Sequence, residues 1–200
     1  MWRESFSVQE LEFIAENNPI EIIPFFRSEK INLISGQFGD FKPNKPIHVP
    51  LWVAIQYKRN KKCRIIPPIW MDSQLLKEKF ELEKTNENIL QELPYYFYEI
   101  CQILFNKAED DISDLKLIKS AVEDLSAIRN AKINKLLENQ LTDDSSIYLS
   151  LNNICARELE LVKPFLCETF KNKLEIKNTN KFLPNVSQTQ NTFLDNLSQN

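Results

Sequence analysis

Val49-Pro50-Leu51-Trp52-Val53-Ala54-Ile55-Gln56-Tyr57-Lys58-Arg59-Asn60-Lys61-Lys62-Cys63-Arg64-Ile65-Ile66-Pro67-Pro68-Ile69-Trp70 is where two textures of the chain meet. Pro50 suits the first position of a helix, where its missing donor costs nothing, and Leu51 to Ile55 continues as a largely apolar turn and a half. A buried helix is predicted here, ending in a basic run. Pro67 and Pro68 then force Ile65 to Trp70 into an extended path, because a residue before proline avoids the α region.

Towards the N-terminus the chain is broken by proline and short β-prone runs. Val8 to Asn17 suits a short helix with Val8, Leu11, Ile14 and Ala15 on one side, and Ile20-Glu21-Ile22-Ile23 and Lys30-Ile31-Asn32-Leu33-Ile34 read as strands. Ser35 to Asp40, holding both Gly36 and Gly39, reads as a turn permitting positive φ. Pro43, Pro46 and Pro50 confine the connector that follows to an edge strand, since proline donates nothing to a sheet ladder.

Towards the C-terminus helical periods dominate. Asp72 or Ser73 caps a helix over Gln74 to Glu83, and Pro94 opens another over Tyr95 to Phe105 that is apolar around most of its circumference, as a helix between helices would be. Ser113 or Asp114 caps the longest, with Leu115, Ile118, Val122, Leu125, Ile128, Ile133, Leu136 and Leu137 at three- and four-residue steps. Leu149 to Leu174 carries the last pattern, which Pro164 should bend or break. The fold class predicted is α+β, mainly α: a small β-rich domain over 1–49, a helical domain over 50–174, and over 175–200 a polar tail expected to be disordered.

Composition removes most enzyme classes. Two hundred residues suffice for one ordinary domain or two small ones without staples. At 42% hydrophobic and 26% charged, with a net charge of −3, the balance is globular and excludes a strongly basic coat over the whole molecule. Glycine occurs twice and histidine once, at His48. Neither a Walker loop nor a dinucleotide fingerprint can be built from two glycines, and a serine or cysteine triad would need His48, which sits in a proline-rich run. Cys63, Cys101, Cys155 and Cys167 form no C-x-x-C pair, so no zinc site and no cofactor is expected. The charged start and the lack of any run of about 20 apolar residues point to a soluble intracellular chain with reduced thiols and no membrane contact.

Three groups remain as candidate sites. Lys58, Arg59, Lys61, Lys62 and Arg64 concentrate positive charge and could hold phosphate, although cations at a helix C-terminus also offset its dipole and no aromatic residue interleaves with them in sequence. The pairs Asp110-Asp111 and Asp143-Asp144 could in principle split their pKa values for acid–base work, but both precede predicted helices, where capping explains them, and no third polar group completes a site. Tyr95, Tyr96, Phe97 and Tyr98 suit core or interface. Several helices are apolar over more than one stripe, which implies surface reserved for other chains.

The stretch quoted at the outset also resembles the central signature of the second Psf subunit family of the GINS complex, through Val49 to Ile55 and Lys61 to Met71. Further likenesses follow in order: Phe13 to Gly36, Pro94-Tyr95-Tyr96 with the helix after it, Leu125 to Ile133 with Arg129 and Lys132, then Leu151 to Ile154, Glu158 and Pro164-Phe165-Leu166. They run from about residue 8 to residue 170. Lys163 departs from the pattern, standing where arginine is common. The resemblance implies a β-rich B domain before an α-helical A domain, in a non-catalytic, nuclear subunit of a DNA replication heterotetramer. Its implied partners are the Sld-five subunit, the first and third Psf subunits, the MCM helicase ring and the Cdc-forty-five activator, with DNA contact indirect or weak. Trp52, Trp70, Tyr95, Tyr96, Leu104, Arg129, Lys132 and Phe165 are its candidate interface or core positions, and a nucleic-acid module built on Lys58 to Arg64 is the alternative.

Overall fold

The computed structural model describes residues 5–33, 36–141 and 151–182. Its first helix, α1 (Val8–Ala15), begins in a capping box: the Ser7 hydroxyl accepts from the Glu10 N–H while the Glu10 carboxylate accepts from the Ser7 N–H. Two donors that a helix start leaves free are thereby satisfied. Strand β1 (Pro19–Pro24) buries Ile20, Ile22 and Pro24 on one side, the two-residue period of a sheet with one face on a core.

A small ribbon follows, β2 (Ile31–Leu33) against β3 (Gly36–Phe38). The turn expected over Ser35 to Asp40 is therefore partly strand, with Leu33 paired to Gly36, while Ile34 and Ser35 lie outside the described residues. Glycine is required at Gly39 for two reasons: φ is 111° there, and a Cβ would stand 2.6 Å from the buried Phe41 ring. Strand β4 (Ile47–Pro50) takes the edge that its prolines allow.

Helix α2 (Leu51–Arg59) follows β4 directly, and β5 (Cys63–Ile66) returns to pair with β1 on the side opposite β4. Both neighbours are antiparallel to β1, with Ile22 opposite Ile47 on one side and Ile65 on the other. The extended path that the sequence predicts over 65–70 is a third strand as far as Ile66, but Ile69–Met71 is a 3-10 turn, so the path is not extended to Trp70. The sheet straddles residue 50.

Helix α3 (Ser73–Thr85) starts where Asp72 accepts from the Gln74 and Leu75 N–H groups. Helix α4 (Phe97–Lys107) starts two residues later than Pro94-Tyr95 suggested. The Tyr95 carbonyl is taken instead by the Ala156 N–H at 2.8 Å, which holds Tyr95 and Tyr96 in a turn ahead of the helix. Helix α5 spans Leu115–Leu141 and α6 spans Ala156–Phe182, with Pro164 inside it. Pro164 does not end α6, and the helix passes Leu174, where the polar tail was expected to begin; 183–200 lie outside the described residues, as do Leu149 and the Asp143-Asp144 pair.

Ile22, Phe41, Leu51 and Ile65 from the sheet side join Phe97, Leu104 and Leu125 from the helices in one buried cluster, so sheet and helices share a core. A second, smaller cluster joins Leu90 with Ile133 and Leu137 of α5, and Val162 and Leu166 of α6 pack against it. The class is α+β, mainly α, as the sequence predicts. No helix among the described residues is long and apolar enough to cross a membrane.

Candidate functional site

The helical part is organised around one buried guanidinium. Arg129 of α5 is fully buried and all five of its N–H donors meet oxygen. Nε donates to Glu158 Oε1 at 2.7 Å and Nη2 to Glu158 Oε2 at 2.9 Å and the Asn153 carbonyl at 2.7 Å. Nη1 donates to Glu83 Oε1 at 2.6 Å and the Gln91 carbonyl at 2.9 Å. Lys132, one turn on, pairs with the other Glu83 oxygen and donates to the Ile89 carbonyl at 3.2 Å.

The acids are equally occupied. Glu158 also accepts from the Tyr98 hydroxyl at 2.8 Å and the Cys155 N–H at 2.9 Å, and Glu83 from the Gln91 N–H at 2.8 Å. Two positive and two negative groups thus cancel in the interior, with the desolvation cost of each offset by several bonds. Burial opposes the Arg129 charge, but the Glu158 bonds outweigh it and raise its pKa. Burial and the Glu158 carboxylate push the Tyr98 hydroxyl up as well. The network ties α3, α4, α5, the start of α6 and the α3–α4 connector into one body. It is a structural lock.

A second group joins the sheet to the helices. Asp111, in a 3-10 turn over Glu109–Asp111, is 7% exposed and accepts from the Ile65 N–H of β5 at 2.8 Å. Lys58 of α2 reaches Asp110 and Asp111, each at 2.8 Å, and the exposed Arg64 lies 3.9 Å from Asp111. Burial works against the Lys58 ammonium, but these bonds more than compensate and leave its pKa raised. The carboxylates of Asp110 and Asp111 are thus taken by Lys58 and the Ile65 N–H, while the first turn of α5 bonds the Asp114 carbonyl instead. The acid–base reading loses these carboxylates to a cation and an amide.

The same contacts divide the basic run. Lys58 and Arg64 turn towards Asp111, whereas Arg59, Lys61 and Lys62 remain exposed. The Phe25 N–H donates to the Lys62 carbonyl at 2.8 Å, and Lys62 Nζ stands 5.8 Å from the Phe26 ring centre. Aromatic rings absent from the run in sequence are brought beside it by the β1–β5 pairing.

The remaining candidates scatter. Leu104 is core, Trp52 and Trp70 are half-buried, and the Trp70 and Phe97 rings lie 5.1 Å apart. Tyr95 is half-exposed and meets Tyr96 edge to face at 4.8 Å. Phe165 is 54% exposed and Leu161, one turn before it on α6, is 64% exposed. Together they present an uncovered apolar stripe. Leu75 and Leu82 do the same on α3, two turns apart.

Three buried groups escaped the sequence reading. Glu83 and the thiol of Cys155 join the Arg129 network, and Glu99 of α4 is 3% exposed with no hydrogen-bond partner on either carboxylate oxygen among the described residues. Burial raises the Glu99 pKa, and the nearby Arg157 opposes the rise. A signal existed for two charged members of the network. Glu83 falls on the face of Leu76 and Phe80, and Arg129 on that of Leu125 and Ile133, so each is a charge where the helical period calls for an apolar residue. Among the described residues no cluster could hold a metal ion.

Comparison with known proteins gives two family matches in order along the chain. Residues 7–66 match the PSF2 N-terminal domain and residues 70–176 the GINS complex protein helical bundle domain. The DNA replication complex GINS protein PSF2 of Xenopus laevis is 32% identical over 181 residues, covering 90% of this chain and 97% of the relative. The protein of the same name from Homo sapiens is 32% identical over 84% of this chain and 90% of its own length. A Caenorhabditis elegans relative described as a probable PSF2 is 35% identical over 74% of this chain and 82% of its own.

Proposed function

This chain belongs to the PSF2 family of DNA replication complex GINS proteins, and from that membership we propose that it acts as a non-catalytic structural subunit of a GINS heterotetramer. Its companions are the Sld-five subunit and the first and third Psf subunits. The assembly works in the nucleus with the MCM helicase ring and the Cdc-forty-five activator, in initiation and elongation of DNA replication. The observation that carries this reading is the unbroken order of the two matches, a sheet module up to Ile66 and a helical module from Trp70 on.

The physical arrangement supports a scaffold. Its most elaborate polar constellation is closed and fully bonded, as a group that fixes the angle between helices should be. The uncovered apolar stripes on α3 and α6 lie outside that lock and are available to neighbouring helices. Conditional depletion of the chain in its own cells, with rescue by the wild-type gene, tests the role. Arrest in DNA synthesis is expected, and normal replication after complete depletion would refute it.

A further inference from the structure

The three-stranded sheet has two ends of very different charge. Because β4 and β5 both run antiparallel to β1, the exit of β1 lies beside the entries to β4 and β5. The Asn44 N–H bonds the Pro24 carbonyl at 2.9 Å on one side, and the Phe25 N–H bonds the Lys62 carbonyl on the other. Both ends of the connection between β1 and β4, and the turn from α2 into β5, therefore meet at this end.

That end carries seven basic side chains, Arg27, Lys30, Lys42, Lys45, Arg59, Lys61 and Lys62, against two acidic ones, Glu29 and Asp40, in a chain whose net charge is −3. Every one of the seven is exposed. Of these seven, only Lys42 is ion-paired among the described residues, to Asp40 at 2.7 Å. Beside Lys62, whose carbonyl accepts from the Phe25 N–H, Phe25 is 56% exposed and presents an aromatic ring among these charges. A helix-capping role does not account for these charges, since Arg27, Lys30, Lys42 and Lys45 precede α2 and do not follow its C-terminus.

We infer that this loop end is a contact for single-stranded nucleic acid, in which Phe25 stacks on a base while Arg27, Lys45, Lys61 and Lys62 hold the flanking phosphates. Stacking on an exposed ring set among cations is the chemistry of single-strand recognition. A duplex offers phosphate but no free base face, and an acidic peptide offers charge but nothing flat for Phe25. The inference adds a ligand to the assembled subunit and does not depend on which chains surround it.

The test uses the assembled complex and a labelled oligothymidine of about 20 nucleotides, read by fluorescence anisotropy over a salt series. Wild-type binding should weaken steeply with salt, and the double charge reversal Lys61→Glu with Lys62→Glu should reduce the slope of log K on log salt by about 1.4. Phe25→Ala should weaken the single strand roughly tenfold and leave duplex binding unchanged. Lys42→Glu with Lys45→Glu moves the reversal to the other loop, so that losses in both doubles exclude damage to one turn. Co-purification with partner subunits should survive all three variants, which separates this contact from the assembly role. No oligothymidine binding by wild type, an unaltered affinity in Phe25→Ala, or displacement by a polyglutamate peptide that binds more tightly would each overturn the inference.

Discussion

Arg129 and Glu158 meet side-on, Nε to Oε1 at 2.7 Å and Nη2 to Oε2 at 2.9 Å, with neither side chain more than 2% exposed. A guanidinium fork matches a carboxylate in this geometry and an ammonium does not. Removing the fork leaves two buried carboxylates short of their partner. Arg129→Met should therefore destabilise the chain by about 3 to 5 kcal/mol, and Arg129→Lys should restore less than half of it. Urea unfolding followed by circular dichroism measures both, and a lysine variant as stable as wild type would show that the bidentate contact matters little.

The buried carboxyl of Glu99 gives a pH dependence of opposite sign to an ordinary ion pair. Its folded pKa is raised by burial, so the stability it contributes is fully present below the usual glutamate range and is lost as pH rises through the folded value. Glu99→Gln removes the ionisation and should raise stability by about 1 kcal/mol at neutral pH. Towards pH 4 the gain should vanish. A variant that is equally stabilised at both pH values would mean that folding leaves the Glu99 pKa unshifted.

The linear sequence carried the helical half well, because α3 to α6 are written in three- and four-residue apolar steps that need no distant partner to be seen. Edge placement of β4 was legible for the same local reason, its prolines. What was not legible depended on pairing over distance. Cys63-Arg64-Ile65-Ile66 is too short and too basic to announce a strand, and it becomes one only because β1 has a vacant side. Asp110 and Asp111 looked like caps for want of knowledge that Ile65 and Lys58 lie opposite. The exposed basic patch likewise required the sheet to bring three loops together.

Thiol reactivity should follow burial. Burial and the Asp111 charge push Cys63 up to about 11, burial and Glu158 push Cys155 up to about 12, and burial raises Cys101 too, whereas Cys167 is exposed on α6. Thiolate is the reacting form. Brief treatment of the folded chain with iodoacetamide at pH 8 should add one label, at Cys167, by peptide mass spectrometry. Rapid labelling of Cys155 would indicate that the Arg129 network opens readily.

Core and surface apolar residues should separate cleanly. Leu104, 1% exposed, should cost about 2 to 5 kcal/mol on replacement by alanine. Phe165, more than half exposed, should leave the free chain within about 0.5 kcal/mol of wild type. In a pull-down with GINS subunits, Phe165→Ala should nonetheless weaken capture. Unchanged capture would remove the outer stripe of α6 from the interface.

Co-expression with the three other GINS subunits, followed by gel filtration with light scattering, tests the central claim most directly. One particle containing a single copy of each chain is the expected result. A fully stable monomer that elutes apart from the other three would contradict it.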